Sequence, residues 1–273
     1  MRGRVLVVAG SDSGGGAGIQ ADIKTVTALG AYAATAITAL TVQDTHGVTD
    51  ILPVPPGFVA AQMRAVLRDI GADAVKIGML GDAAVIEAVA ATLAEEAPEV
   101  PVVLDPVMVA KGGASLLAAD AVAAFKRLLL PRASVLTPNA PEAAVLAGMA
   151  VDGIAAARAA AGVLLTLGIP AVLLKGGHLP GDSVIDLLAT EDALVEYAAP
   201  RLPGRHTHGT GCTLASAIAA RLAQGAPLAR AVADARAYVR AAIEAAPGLG
   251  GGHGPLGHDV TVRPDALAAV LGA

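Results

Sequence analysis

Aromatic side chains are almost missing from this sequence: no Trp, two Phe and three Tyr among 273 residues. Charge is scarce too, at 16% Asp, Glu, Lys and Arg, below the usual share of about a quarter. Nineteen Lys and Arg against 24 Asp and Glu give a formal charge of −5, and no basic run occurs. Such a chain lacks the cations and rings that neutralise phosphates and stack on bases, so nucleic-acid binding is not expected. One cysteine excludes an internal disulfide framework and any multi-Cys zinc or iron–sulfur centre. A lone thiol fits the reducing cytoplasm. Long apolar runs are also lacking. Val5–Ala9, after Arg4, is too short for a signal peptide. The longest uncharged stretch, Thr25–Gln43, holds five Thr and a Gly, and reads as helix end, turn and strand rather than as a membrane span.

What is present is apolar mass. Hydrophobic residues make up 55% of the chain, enough to bury a sizeable core. No internal repeat and no long polar linker divides it, so residues 1–273 are expected to form one domain. Short β-branched runs alternate with helical spacing. Strands are expected at Val5–Ala9, Ala33–Thr41, Ala74–Ile77, Val102–Leu104, Val135–Leu136 and Ala171–Leu174. Helices are expected at Ile19–Leu29, Asp120–Leu130, Pro141–Leu146, Ile154–Leu167, Thr210–Ala223, Ala226–Ala246 and Pro264–Leu271. Two more helices follow from the spacing of Val59, Met63, Val66, Leu67 and Ile70, and of Val85, Ile86, Val89 and Leu93. Val184–Ala189 and Ala193–Ala198 flank a Thr-Glu-Asp turn and are expected to pair as a hairpin. The glycine-rich Gly248–Gly257 segment reads as a mobile loop.

Strands separated by helices imply a mostly parallel sheet covered on both faces. Ligands bind such sheets outside the carboxyl ends of the strands. The unusual residues of this chain cluster there: Gly10–Gly18, Gln43–His46, Gly78–Met79, Asp105–Met108, Asn139–Glu142 and Lys175–His178.

Gly10–Gly18 places five glycines among nine residues between a strand and a helix, where backbone can approach a ligand closely. It is neither a dinucleotide fingerprint nor a Walker A loop, and a plain βα turn is the alternative. Gly209-Thr-Gly-Cys-Thr213 precedes an apolar helix, so its amides and the helix dipole can receive an anion. Cys212 in that first turn would feel a field that favours thiolate; the alternative is a small buried hydrophobe. Asn139-Ala-Pro-Glu142 is sufficiently explained by helix capping, with Pro141 in the first turn. An oxygen pair for hydrated Mg²⁺ beside phosphates is the functional alternative. Lys175, in Lys175-Gly-Gly-His178, can reach phosphate as a point charge or sit solvated at a strand end. Asp105 ends a strand and can orient water around a metal or start a turn. His253 and His258 fit no common metal spacing. His208 lies four residues before Cys212, but no spacing supplies a third, orienting group for a Cys–His nucleophile.

Eight strings in order carry a resemblance that runs from Val5 to about His258. They are Ala9-Gly-Ser-Asp-Ser-Gly-Gly-Gly-Ala-Gly-Ile-Gln-Ala-Asp22, Thr41-Val-Gln-Asp-Thr45, Lys76-Ile-Gly-Met-Leu80, Asp105-Pro-Val-Met108, Leu136-Thr-Pro-Asn-Ala-Pro-Glu142, Leu174-Lys-Gly-Gly-His178, Thr207-His-Gly-Thr-Gly-Cys-Thr213 and Gly252-His-Gly-Pro-Leu256. The chain resembles the hydroxymethylpyrimidine/phosphomethylpyrimidine kinases of thiamine biosynthesis, in the ribokinase-like superfamily. The resemblance implies a three-layer αβα sandwich with a short hairpin lid, usually a homodimer. It implies ATP-dependent phosphorylation of 4-amino-5-hydroxymethyl-2-methylpyrimidine and then of its monophosphate. Gln43 would bind the pyrimidine, with Gly10, Asp12, Ala17, Gly18, Met79 and Val107 around it. Gly209, Thr210, Gly211 and Cys212 would form the anion hole and catalytic turn, Cys212 standing where most sugar kinases of the superfamily carry an Asp base. Lys175, Asn139, Asp105, Thr207 and Gly211 would meet ATP. Glu142 and Asp105 would organise Mg²⁺, partly through water.

The chain departs from the family pattern at His206, often Asn in relatives, and at Gly257, often polar. No thiamine-phosphate synthase domain is expected after the last motif. Alternatives within and beyond the class are a pyridoxal kinase, disfavoured by Gln43 and Gly14–Gly16; a pyrimidine-binding protein without turnover; and a Cys212-dependent acyl transferase. No membrane and no protein partner are expected.

Overall fold

Every residue from Val5 to Ala9 is buried, and the run faces two ways. Val5, Val7 and Ala9 of strand β1 (Arg4–Asp12) enter one core, and Leu6 and Val8 enter another. A strand with both faces buried needs a helical layer on each side of its sheet. The computed structural model describes residues 3–108 and 119–262 and has that architecture. The expected helix Pro264–Leu271 lies outside the described residues.

The other strands are β2 (Tyr32–Gln43), β3 (Val48–Pro53), β4 (Ala74–Ile77), β5 (Val102–Leu104), β6 (Val135–Leu136), β7 (Ala171–Leu174), β8 (Ser183–Thr190) and β9 (Leu194–Pro200). They form one sheet in the order β3-β2-β1-β4-β5-β6-β7-β8-β9. The strands from β2 to β7 in that order pair in parallel; β3, β8 and β9 join antiparallel at the edges. The expected hairpin is β8–β9, closed by the Thr190 amide donating to the Ala193 carbonyl at 2.8 Å. The expected sequence elements omit β3. Five of its six residues are exposed, so it carries no burial alternation. It pairs Leu40 with Leu52 and Val42 with Asp50, and forms with β2 a second hairpin beside the Gly10 loop.

Helices α1 (Gly18–Ala28), α7 (Thr210–Ala223) and α8 (Leu228–Glu244) cover one face. Helices α2 (Pro56–Asp69), α3 (Ala83–Glu96), α4 (Ala119–Ala124), α5 (Ala140–Ala147) and α6 (Ile154–Leu165) cover the other. The helix expected over Asp120–Leu130 changes pitch. After α4 it widens into a π-helical turn over Phe125–Leu129, which buries Phe125 and Leu129, and a short turn at Leu130–Arg132 ends it.

The sheet grows in one direction from β1 to β2 and in the other from β1 to β4. Right-handed crossovers therefore put α1 and α3 on opposite faces, and a crevice opens at the carboxyl ends of β1 and β4. Gly10–Asp12 and Gly78–Met79 sit at that switch point. Among the described residues, no helix is long and apolar enough to cross a membrane.

Candidate active site

A cavity of about 1040 Å³ runs along the carboxyl edge of the sheet. Every binding, catalytic and metal-holding residue expected from the sequence lines it. Its two ends differ in chemistry.

At the β1 end, the Gly10 loop is organised by one buried carboxylate. Asp12 accepts from the amides of Gly14 at 2.8 Å, Gly16 at 3.0 Å and Ala17 at 2.7 Å. His208 Nε2 lies 3.1 Å from the same Asp12 Oδ2. Burial opposes the charge, but the His208 contact and the Ala17 and Gly14 amides outweigh it and hold the Asp12 carboxyl below its ordinary value. Asp12 thus lines the pocket mainly as the loop's own anion. Gln20 fixes the next turn, accepting from the Asp12 amide at 2.8 Å and donating to Ser11 Oγ at 2.8 Å. Gln43, at the end of β2, reaches His208 and Thr41, each at 3.1 Å. A reciprocal pair of bonds with Ser13 anchors its backbone. Met79 closes over Gly10, where a Cβ would stand only 2.6 Å from its methyl group.

At the other end stand Asp105, Asn139 and Lys175, each just past a strand, with Glu142 in the first turn of α5. Asn139 and Glu142 form a complete capping box on α5, each side chain accepting from the other's amide at 2.9 and 2.8 Å. Capping and a position on the cavity wall are therefore held by the same side chains. Lys175 Nζ lies 2.7 Å from Asp105 Oδ1 and 3.9 Å from Glu142 Oε2. Burial works against its charge, but Asp105 and Glu142 keep the ammonium protonated. Burial also pushes the Glu142 carboxyl up, against Lys175, to about 7. Thr137 donates to Asp105 Oδ1 at 3.0 Å.

Between the two ends lies the start of α7. Its N-cap, Gly209, has φ +81 and makes no side-chain cap. Any Cβ at this position would run into the Gly16 carbonyl oxygen. The two glycine segments therefore pack backbone on backbone, and Gly211 and Cys212 line the cavity ahead of the first i→i−4 bond, Thr213 to Gly209 at 2.9 Å. Lys175 Nζ would stand 3.2 Å from a Cβ on Gly211, so a cation faces this turn.

The sequence left Cys212 open between a thiolate and a small buried hydrophobe. Burial pushes the thiol up to about 11; Lys76 and the Gly18 amide pull the other way, but Asp22 and Asp105 add to burial and the proton stays.

Residues 12–257 match the model of the phosphomethylpyrimidine kinase family. The chain belongs to that family. It is 52% identical to the hydroxymethylpyrimidine/phosphomethylpyrimidine kinase of Rhizobium meliloti, over 93% of this chain and 96% of that protein. It is 54% identical to the thiamine biosynthesis bifunctional protein of Geobacter sulfurreducens, over 94% of this chain, and spans 52% of that protein's length. The fold is ribokinase-like. A solved phosphomethylpyrimidine kinase from Clostridium difficile superposes with a TM-score of 0.77 at 37% identity, covering 87% of this chain and 97% of that one. Staphylococcus aureus pyridoxal kinase, solved with AMP-PCP and pyridoxal, superposes at 0.88 with 32% identity, covering 97% of this chain and 96% of that one.

Several features of this family member escaped sequence reasoning. Lys76 of β4 and Asp22 of α1 are both fully buried and paired at 2.9 and 3.0 Å, and Ser216 of α7 donates to Asp22 at 2.7 Å. This triad ties three elements together beneath Cys212. The available signal was a Lys inside the apolar run Ala74–Ile77 and an Asp on the apolar stripe of α1. Toward β8 and β9 the cavity meets Arg236, which pairs with Asp186 at 2.7 Å and lies 5.2 Å from the Tyr197 ring centroid. Gly248–Gly257, expected to be mobile, is pinned. The His253 amide donates to the Thr45 carbonyl at 2.7 Å, the His208 amide to Gly254 at 3.2 Å and the Gly257 amide to Ala242 at 2.9 Å. A Cβ on Gly252 would strike the Thr45 carbonyl, so close approach, not mobility, explains that glycine. His258 is buried against Thr213 at 2.9 Å, and burial lowers its value to about 4; it is a neutral packing histidine.

Proposed function

We propose that residues 1–273 form one ribokinase-like kinase domain that transfers the γ-phosphoryl group of ATP to 4-amino-5-hydroxymethyl-2-methylpyrimidine and then to its monophosphate. The observation that carries this is the single cavity joining the Gln43–Met79 pocket to the uncapped start of α7. The pyrimidine lies between Gln43, the Gly10 loop, Met79 and Val107, and its hydroxymethyl oxygen points toward Cys212. Gln43 both donates and accepts, which suits an aminopyrimidine edge.

Phosphoryl transfer asks mainly for positioning and charge neutralisation. The Gly211 and Cys212 amides receive the equatorial oxygens, and Lys175 supplies a positive charge from the strand edge. Cys212 begins as a thiol, so it serves as a hydrogen-bonding wall of the anion turn and acts as a base only after bound cations have lowered its value and it has lost its proton, against the opposing charge of the phosphates. A protonated thiol also argues against a Cys212-dependent acyl transferase. For the second phosphorylation the acceptor is already anionic and needs little base.

Asp105 and Glu142 fit a hydrated Mg²⁺. They offer two buried carboxylates beside Lys175, and among the described residues no group of three His, Cys, Asp or Glu builds a full cage. Mg²⁺ usually completes such a pair with water and phosphate oxygens. When bound there it would neutralise charge on the nucleotide phosphates. A cytoplasmic homodimer accompanies the proposal. Leu40, Val42 and Leu52 share one exposed apolar face of the β2–β3 hairpin, which is suited to a second copy.

The test is ADP release from Mg·ATP with the free pyrimidine, its monophosphate and pyridoxal in parallel. Turnover on both pyrimidines and not on pyridoxal is expected. Preference for pyridoxal would make this a kinase of another acceptor; pyrimidine binding without ADP formation would make it a non-catalytic binding protein.

A further inference from the structure

His208 stands where two partners make incompatible demands. Its Nε2 lies 3.1 Å from Asp12 Oδ2 and 3.1 Å from the end of the Gln43 amide. One ring nitrogen cannot both donate to a carboxylate and accept from an amide N–H. Asp12 is ionised, because it already accepts three backbone N–H groups and can donate nothing. A bare Nε2 lone pair 3.1 Å from that carboxylate is repelled by a full charge, whereas an Nε2–H makes a charge-assisted bond. Nε2 therefore carries a hydrogen.

That hydrogen dictates the state of Gln43. The amide atom facing His208 must accept, so it is the oxygen, and the NH₂ group faces Thr41. Oxygen and nitrogen of a side-chain amide occupy nearly the same positions and are assigned from their partners. The single Nε2–H is then shared between Asp12 Oδ2 and the Gln43 oxygen, and no donor faces a donor. The Gln43 NH₂ donates to Thr41 Oγ1 across 3.1 Å, and the Thr41 hydroxyl donates to the Ser11 carbonyl at 2.8 Å. The imidazole cannot swing away toward the loop. A Cβ on Gly16 would stand 2.6 Å from its Cδ2, so the ring already lies flush on that glycine.

We propose that His208 and Asp12 set the orientation of the Gln43 amide, making its His208 side the acceptor and its Thr41 side the donor, and thereby select the aminopyrimidine edge. On the function proposed above, on which the choice of ligand rests, the exocyclic amino group lies on the His208 side of Gln43 and the ring nitrogen beside it on the Thr41 side. Pyridoxal has no amino group next to its ring nitrogen and cannot meet that order. His208 acts through Gln43 and is a positioning residue for specificity.

Two measurements test this. Nitrogen-15 correlation spectra of the ligand-free protein should show His208 with hydrogen on Nε2; hydrogen on Nδ1 alone overturns the proposal, whatever the enzyme phosphorylates. In steady-state kinetics, His208→Leu should raise the pyrimidine KM about tenfold, the cost of losing about one hydrogen bond's discrimination, with the ATP KM and kcat changed less than about twofold. His208→Gln, whose amide can donate to both partners, should stay within about threefold. In a Gln43→Ala background, His208→Leu should add less than about twofold; independent, multiplying effects overturn the proposal. If the unaltered enzyme ignores the pyrimidine, the function proposed above fails, and the tautomer still decides the amide orientation.

Discussion

Three helices, α1, α5 and α7, start at this cavity, and the last two treat their first turns in opposite ways. At α5 the orphan amides are satisfied by Asn139 and Glu142, which cap the helix completely. At α7 the N-cap is Gly209, with no side chain to offer, and the first turn faces Lys175 and open cavity. The Gly10 loop stands between these cases, since its amides are filled by Asp12. Helix starts all present unpaired donors. What distinguishes a site from a scaffold is whether the protein fills them itself. The α5 start and the Gly10 loop are filled by their own side chains; the α7 start is not, which is why the proposed function assigns the phosphoryl group to it.

The largest effect is expected where the open start is closed. Gly209→Ala should lower turnover by about a hundredfold or more, because both the left-handed backbone and the contact with Gly16 are lost. Gly225→Ala is the control. Its φ is +84, yet nothing lies within 4 Å of a Cβ there, so it should cost about 1–2 kcal/mol of stability and leave turnover unchanged. ADP release and urea unfolding read both; equal effects would erase the distinction between the two glycines.

Next comes the filled loop. Asp12→Ala leaves three amides without their carboxylate and should destabilise by about 2–3 kcal/mol in urea unfolding. A change within error would mean that the loop does not depend on its own anion. At Cys212 the expected effect on rate is about tenfold: Cys212→Ala should slow phosphorylation of the free pyrimidine about that much and of the monophosphate less. Equal losses would leave only an anion-hole role. The pH sign is set by the raised thiol. In the free enzyme, alkylation of Cys212 should be slow near neutrality and climb as pH rises toward about 11; a break below pH 8 would contradict its burial. The smallest effect is at the capped helix, where Asn139→Ala should cost about 1 kcal/mol in the same unfolding assay.

The same contrast explains what was legible in the sequence. The sheet and its covering helices follow from local apolar spacing, and the loops at the strand ends could be placed because parallel strands all end on one edge. The Asn139–Glu142 capping box spans four residues, so spacing alone revealed it. What escaped was non-local or unpatterned. β3 is exposed on both faces and has no alternation to detect. The state of Cys212 depends on Asp22, Lys76 and Asp105, which only folding brings to it. His208 lacked an orienting group by spacing because that group, Asp12, is 196 residues away in the chain. The glycines of Gly248–Gly257 look the same in sequence whether they permit motion or close packing, and only the Thr45 and Ala242 carbonyls distinguish the two.

The most direct test of the α7 start is a crystal structure with the pyrimidine, Mg·ADP and aluminium fluoride as a mimic of the transferring phosphoryl group. The account predicts the fluoride plane within hydrogen-bond distance, about 3 Å, of the Gly211 and Cys212 amides, with the capping box of α5 and the Asp12 loop intact. A fluoride bound instead at the α5 start or in the Gly10 loop, with the α7 amides turned to water, would contradict it.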